Sequence, residues 1–155
     1  MAILAGGIAR GNDLTLPDVV AAHGNGLNTV TATAWANLPT TSCIAAITNP
    51  HASADMLTMV TFGCWCFADA NAVRVSPAIS GSITITPGIG GGAAIGHGEY
   101  IRATTAYEGR MGGWTVELPP GTATFTMQAY RESAAGTQQV NYPTIRLVPL
   151  RYLFA

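Results

Sequence analysis

Four groups of residues in this chain have types and spacing that bear on chemistry. The first is the glycine-rich run Pro87-Gly-Ile-Gly-Gly-Gly-Ala-Ala-Ile-Gly-His-Gly98, where Gly88, Gly90 and Ala93 fit a loose dinucleotide fingerprint. Glu108, 20 residues past Gly88, stands where a ribose-binding acid would. That chemistry needs a helix N-terminus aimed at the pyrophosphate. The run continues instead into Gly96, Gly98 and the strand-like Tyr100-Ile101-Arg102, so it reads as a long loop at the rim of a sheet. The second group is Cys43, Cys64 and Cys66. Cys64 and Cys66 face the same side of a strand, but one Cys-x-Cys pair without a second pair or a nearby His makes a poor zinc site. These thiols read as small buried hydrophobes.

The third group is His97-x-Glu99 with His51 and Asp55. A metal needs at least one or two ligands beyond the first pair, and only an accident of folding would bring the two segments together. The fourth is the set of carboxylates Glu108, Glu117 and Glu132 and the indoles Trp35, Trp65 and Trp114. The carboxylates read as solvated charges at strand edges rather than a glycosidase pair. The tryptophans occupy alternating positions, which favours core or interface over a sugar platform. No Gly-x-Ser-x-Gly elbow is present, so the sequence shows no nucleophile of that type. The expectation is a protein that is not an enzyme and has no catalytic, cofactor or metal residues.

The elements that carry these residues are strands. From Thr29 onward the period is mostly two: Val30 to Leu38, Ile83 and Ile85, Trp114 to Leu118, and Ala123 to Ala129 each alternate apolar with polar residues. Further strand candidates are 41–48, 56–67, 72–76, 99–107 and 140–153. Asn49-Pro50, Asp69 to Asn71, Pro87-Gly88, Pro119-Pro120-Gly121 and Ala134 to Gly136 punctuate them as turns. About nine strands at this spacing with no long helix predict an all-β fold, a jelly-roll-like antiparallel β-sandwich. Residues 1–28 are glycine-rich and read as an N-terminal arm ahead of a domain over 29–155. The arm carries one short helix candidate, with Thr15 as cap, Pro17 in its first turn and Gly24 at its end.

Composition narrows the function classes. Hydrophobic residues make up 48% of the 155-residue chain and charged residues only 10%, against about 25% charged in an average domain. A surface so poor in charge does little to keep copies apart, so the chain either spans a membrane or has much of its surface covered by protein. A spanning helix needs about 20 nearly continuous apolar residues. The most apolar stretch, Met56 to Ala70, is broken by Thr58, Thr61, Gly63 and Asp69, and Met1 to Gly11 lacks the basic start of a secretory signal. The expectation is no membrane, and assembly in a cytoplasm. All seven basic residues are Arg, scattered from Arg10 to Arg151 at a net charge of −1. No basic patch offers itself to phosphates, so no nucleic acid is expected as partner.

One strand is apolar on both faces. In Met56 to Phe67, Val60, Phe62, Cys64 and Cys66 point one way and Leu57, Met59, Trp65 and Phe67 the other. A sandwich strand normally keeps one wet face, so one side joins the core and the other meets a neighbour. The segment Ile145 to Phe154 behaves alike. Phe62, Trp65, Phe67, Leu150, Tyr152 and Phe154 are therefore candidate subunit-interface residues. Ile3, Leu4, Ile8, Leu14 and Leu16 are candidate anchors by which the arm docks on a partner.

The layout of Trp35 and Leu38 by the first strand, then Trp114-Thr-Val-Glu-Leu-Pro-Pro-Gly-Thr-Ala-Thr-Phe-Thr-Met-Gln-Ala-Tyr130, then the apolar strand Ile145 to Phe154 resembles the small trimeric jelly rolls of tailed-bacteriophage virions. Those serve as head decorations, head fibres and tail-associated proteins, and are built like tumour-necrosis-factor-like globular heads. The resemblance spans residues 29 to 154 at the level of strand pattern. It implies a homotrimer with a shared apolar axis, a place in the virion, the major capsid or another virion protein as partner, and no catalysis. A carbohydrate- or receptor-binding jelly roll of a tail or fibre is the competing expectation.

Overall fold

The computed structural model describes residues 15–40, 42–69, 72–87, 101–103 and 108–153, the backbone alone at 101–103. Ten strands follow in order: β1 (Val20–His23), β2 (Leu27–Thr29), β3 (Ala36–Asn37), β4 (Ile44–Asn49), β5 (Asp55–Ala68), β6 (Val73–Gly81), β7 (Ile101–Ala103), β8 (Glu108–Leu118), β9 (Gly121–Arg131) and β10 (Gln138–Leu153). Among the described residues there is no helix. All pairings are antiparallel. The first sheet runs β1-β10-β5-β8 with β2 also on β10; the second runs β3-β9-β6-β7 with β4 also on β9.

The connectivity is that of a jelly roll. β1 pairs with β10, β4 with β9, β5 with β8 and β6 with β7, so the chain is one long nested hairpin with its tip at β6 and β7. Its successive pairs fall alternately in the two sheets. The ribbon then wraps on itself, and β10 also pairs with β5 and β9 with β6, which gives the double-sheet arrangement with few free edges. Pro119-Pro120 lies at the corner where the chain leaves β8 for β9. The all-β sandwich expected from the period-two pattern is therefore what the chain adopts.

Alternation sorts residues between core and surface. The inner faces meet through Met56, Val60, Phe62, Val116, Leu118, Ile145 and Leu147 of the first sheet and Val73, Val75, Ile79, Phe125 and Met127 of the second. Phe62 meets the Trp114 ring edge-on, with centroids 5.2 Å apart. It reaches across to Gly112, where a Cβ would stand 2.8 Å from the Phe62 ring. Cys64 and Cys66 lie inside with their sulfurs 3.2 Å apart. The Cys66 side chain, hydrogen-bonded to it, and then burial hold the Cys64 thiol well above its ordinary range. Burial pushes the Cys43 thiol up to about 11. Thiols kept protonated in this way are poor nucleophiles.

Several local expectations change. The segment from Pro17 to His23 forms no helix: Val20 to His23 is strand β1, in register with Thr144 to Leu147 of β10. Two turns of helix are marginal alone, while β-branched Val19 and Val20 suit the edge that β10 offers. Residues 20–28 of the segment read as an arm, together with Thr29, thus add two short strands to the first sheet. The alternation from Val30 to Leu38 yields only β3, because the chain bends at Thr33 and Ala34. Ile83 and Ile85 give no strand; Ile85 folds back on Ile79 as a single bridge. Conversely, β6 runs on through Pro77 to Gly81. Beside it β7 covers only Val73 to Val75, so the missing Pro77 N–H leaves no ladder partner unpaired.

The connection from β4 to β5 shows how the sandwich corners are tied. Buried Asn49 donates from Nδ2 to the carbonyls of Ala54 (2.9 Å) and Leu118 (2.8 Å). His51 Nδ1 accepts from the amides of Ser53 (3.1 Å) and Ala54 (2.8 Å). The imidazole leans on the Tyr152 ring at 5.1 Å, and the Tyr152 hydroxyl donates to the Thr15 carbonyl at 3.0 Å. His51→Ala removes an acceptor shared by two amides and is expected to lower stability by about 1–2 kcal/mol. Urea unfolding followed by tryptophan fluorescence measures this; an unchanged midpoint would mean that the turn holds without the imidazole.

Candidate functional site

The outer faces of the two sheets differ in kind. On the second sheet the solvent side of β9 is Thr122, Thr124, Thr126 and Gln128, beside Ala46 and Thr48 of β4 and Ala78 and Ser80 of β6. The Thr48 and Thr122 hydroxyls are bonded at 2.8 Å. This is a small-residue, hydroxyl-rich surface that water covers well. On the outer side of the first sheet stand Met59 and Trp65 of β5, Met111 of β8, Val19 and Leu27 beside β10, and Leu150 of β10, all exposed. Ile44 is the one large exposed hydrophobic placed on the second sheet among the described residues.

Register explains how the apolar face is arranged. Across β10, β5 and β8, one row is Asn141, Trp65 and Gly109; the next is Thr144, Gly63 and Met111; the next is Arg146, Thr61 and Gly113; then come Val148, Met59 and Thr115. The Trp65 indole lies beside Gly109, where an added Cβ would be in ordinary contact with the ring at 3.6 Å. Gly63 likewise lies under Met111, whose Cγ would be 3.2 Å from an added Cβ. The result is a raised Trp65 (53% exposed) and Met111 (82% exposed). Beside them is a hollow of about 370 Å³ lined by Ala21, His23, Thr61, Met111, Thr144 and Arg146. A bulge between Asn141 and Thr144 sets Tyr142 in a left-handed conformation (φ 48°) with its ring exposed. Leu150, outward like Arg146 and Val148, lies in a second bulge between Pro149 and Arg151, which puts Arg151 outside as well.

The six interface candidates separate accordingly. Trp65 and Leu150 are exposed on this face, and Phe67 is half-buried beside Gln139. Two are corrections. Phe62, 1% exposed, is enclosed by its own chain, because its parity puts it on the inner side of β5. Tyr152 is buried against the His51 turn with its hydroxyl bonded to Thr15, because the bulge at Leu150 resets the parity of β10. Phe154 lies outside the described residues, as do the arm residues Ile3, Leu4, Ile8 and Leu14; Leu16 packs against the core of its own subunit. Met111, Val19, Leu27 and Tyr142 escaped the sequence reading. Met111 sits between glycines, where no alternating pattern marks a face.

The constellations that bear on chemistry do not converge. The three indoles lie apart: Trp35 packs edge-on against Tyr130 of the second sheet at 4.7 Å, Trp114 is on Phe62, and Trp65 is outside. Glu132 is paired with Arg74 and Glu108 with Arg110. The residues described hold no group of three or more His, Cys, Asp and Glu placed to bind a metal ion. The run Gly88 to Gly98 and the pair His97 and Glu99 lie outside the described residues. No helix among the described residues is long and apolar enough to cross a membrane. No protein family matches the chain, and no curated protein matches it either.

Proposed function

We propose that this chain is a non-enzymatic structural protein of a bacteriophage virion, a capsid decoration or cement subunit that works with part of its surface covered by other proteins. The observation that carries the reading is the one-sided surface: exposed apolar side chains gather on the outer face of the first sheet while the second sheet keeps a hydroxylated one. An apolar patch of that kind marks a contact site, and a chain with 10% charged residues has little else to keep it apart from neighbours. The jelly roll is a recurrent shell-building architecture, and the strand-pattern resemblance to trimeric phage jelly rolls points to three copies per assembly and to the capsid as the surface decorated. The test is addition of purified protein to capsids that lack it. Saturable co-sedimentation, with density on the outside of the shell by electron microscopy, is the expected result; a protein that never joins particles ends this reading.

One observation favours a second reading, a carbohydrate-binding jelly roll. Trp65 stands opposite Asn141 and Tyr142 follows Asn141 in the chain, both rings exposed, and an indole with a nearby amide is suited to stacking and hydrogen-bonding a sugar ring. A glycan array in which binding is lost with Trp65→Ala would support it, and an array without hits would count against it.

A further inference from the structure

We infer that the outer face of the first sheet is covered by a second copy of this chain, and that the contact is heterologous, the β8 side of one copy against the β10 side of the next. The inference rests on the structural reading above and adds which partner covers the face. Two observations carry it beyond the exposure of Trp65 and Met111. The first is charge. Arg146 and Arg151 project from β10 on one side of this face, and Glu117 projects from β8 on the other, with β5 between them. All three are exposed, and among the described residues none has an ion-pair partner. The β10 side of the face is thus cationic and the β8 edge anionic, with Asp55 of β5 between them on the same face. That pattern is complementary to itself when one copy's β8 side meets the next copy's β10 side, and a head-to-tail contact of that kind forms a ring when its rotation closes and an open filament when it does not.

The second observation is relief. Met111 projects from β8 and walls one side of the hollow, whose remaining lining, with Ala21, Thr144 and Arg146, lies mostly on β1 and β10. The knob therefore belongs to the anionic side and the hole to the cationic side.

Sedimentation velocity of the full-length protein at micromolar concentration is the test. The parent is expected to sediment as a closed oligomer. Trp65→Asp and Met111→Asp should each give folded monomers, with unchanged circular dichroism, whereas Thr124→Asp on the hydroxylated face should leave the oligomer intact. Glu117→Arg should weaken association at least tenfold, and the combination of Glu117→Arg with Arg146→Glu and Arg151→Glu should restore it. A parent that stays monomeric in solution yet joins capsids would overturn this inference while leaving the virion reading in place, because the capsid protein would then cover the face. An oligomer indifferent to Trp65→Asp and Met111→Asp would overturn it as well, by placing the contact elsewhere.

Discussion

Phe62→Ala should cost about 3–5 kcal/mol of folding stability, the range for truncating a fully buried aromatic side chain, and Phe62→Asp should yield no folded protein. A single domain carries about 5–15 kcal/mol in all, so the first change consumes a large part of it. The second puts a carboxylate where a 1% exposed ring packs against Trp114 and Gly112 between the two sheets, and burying a charge there is costly. Gly112→Val tests the same packing from the other side, because a Cβ at that position would stand 2.8 Å from the Phe62 ring. Guanidinium unfolding of Phe62→Ala and Gly112→Val, with expression and circular dichroism of Phe62→Asp, would show the effects. A Phe62→Asp protein that folds normally would place this ring outside the core.

Gly81→Ala is expected to be nearly as damaging. Gly81 ends β6 with φ +103°, a conformation open to glycine and costly to side-chain-bearing residues, and its Cβ would stand 2.3 Å from the Thr122 carbonyl oxygen. That carbonyl already accepts the Ser82 amide at 2.9 Å, so it cannot move aside without loss. Backbone strain and the clash together should lower stability by about 3 kcal/mol or more. Gly136, also at positive φ (78°) but in the exposed loop before β10, is the control: Gly136→Ala should cost only about 1 kcal/mol. Equal midpoint shifts for the two variants in chemical denaturation would mean that the Thr122 contact adds nothing to the strain.

The sandwich was legible because its strongest elements repeat a simple period over many residues. Ala123 to Ala129 alternates in the sequence as it does in the sheet, and 56–67 and 140–153 lie within β5 and β10. Short elements were not legible. Ile83 and Ile85 alternate as a strand does yet, among the described residues, make only one bridge, from Ile85 to Ile79 of β6. Pro17 to His23 carries helix-start signals yet pairs with β10, because a nearby sheet edge outweighs two turns of marginal helix. Met111 and Tyr142, both exposed on or beside the apolar face, carry no local signal: one owes its prominence to Gly63 on the facing strand, the other to a bulge.

The class of fold, the poverty of charge and the two apolar sides of β5 follow from residue types and their spacing alone. Parity along one strand is a local property, so Val60, Phe62, Cys64 and Cys66 were bound to share a side opposite Met59 and Trp65. Which of those sides faces the core was decided only when the second sheet closed over one of them, and that depends on the handedness and register of the wrapped ribbon. For β10 even the parity was tertiary: the bulge at Leu150 turned Tyr152 inward and Arg151 outward. The opposition of Arg146 and Arg151 to Glu117 is tertiary in the same sense. These residues lie some 30 positions apart in the chain, and β5 brings their strands to its two sides, so a cationic side and an anionic edge exist only on the assembled sheet.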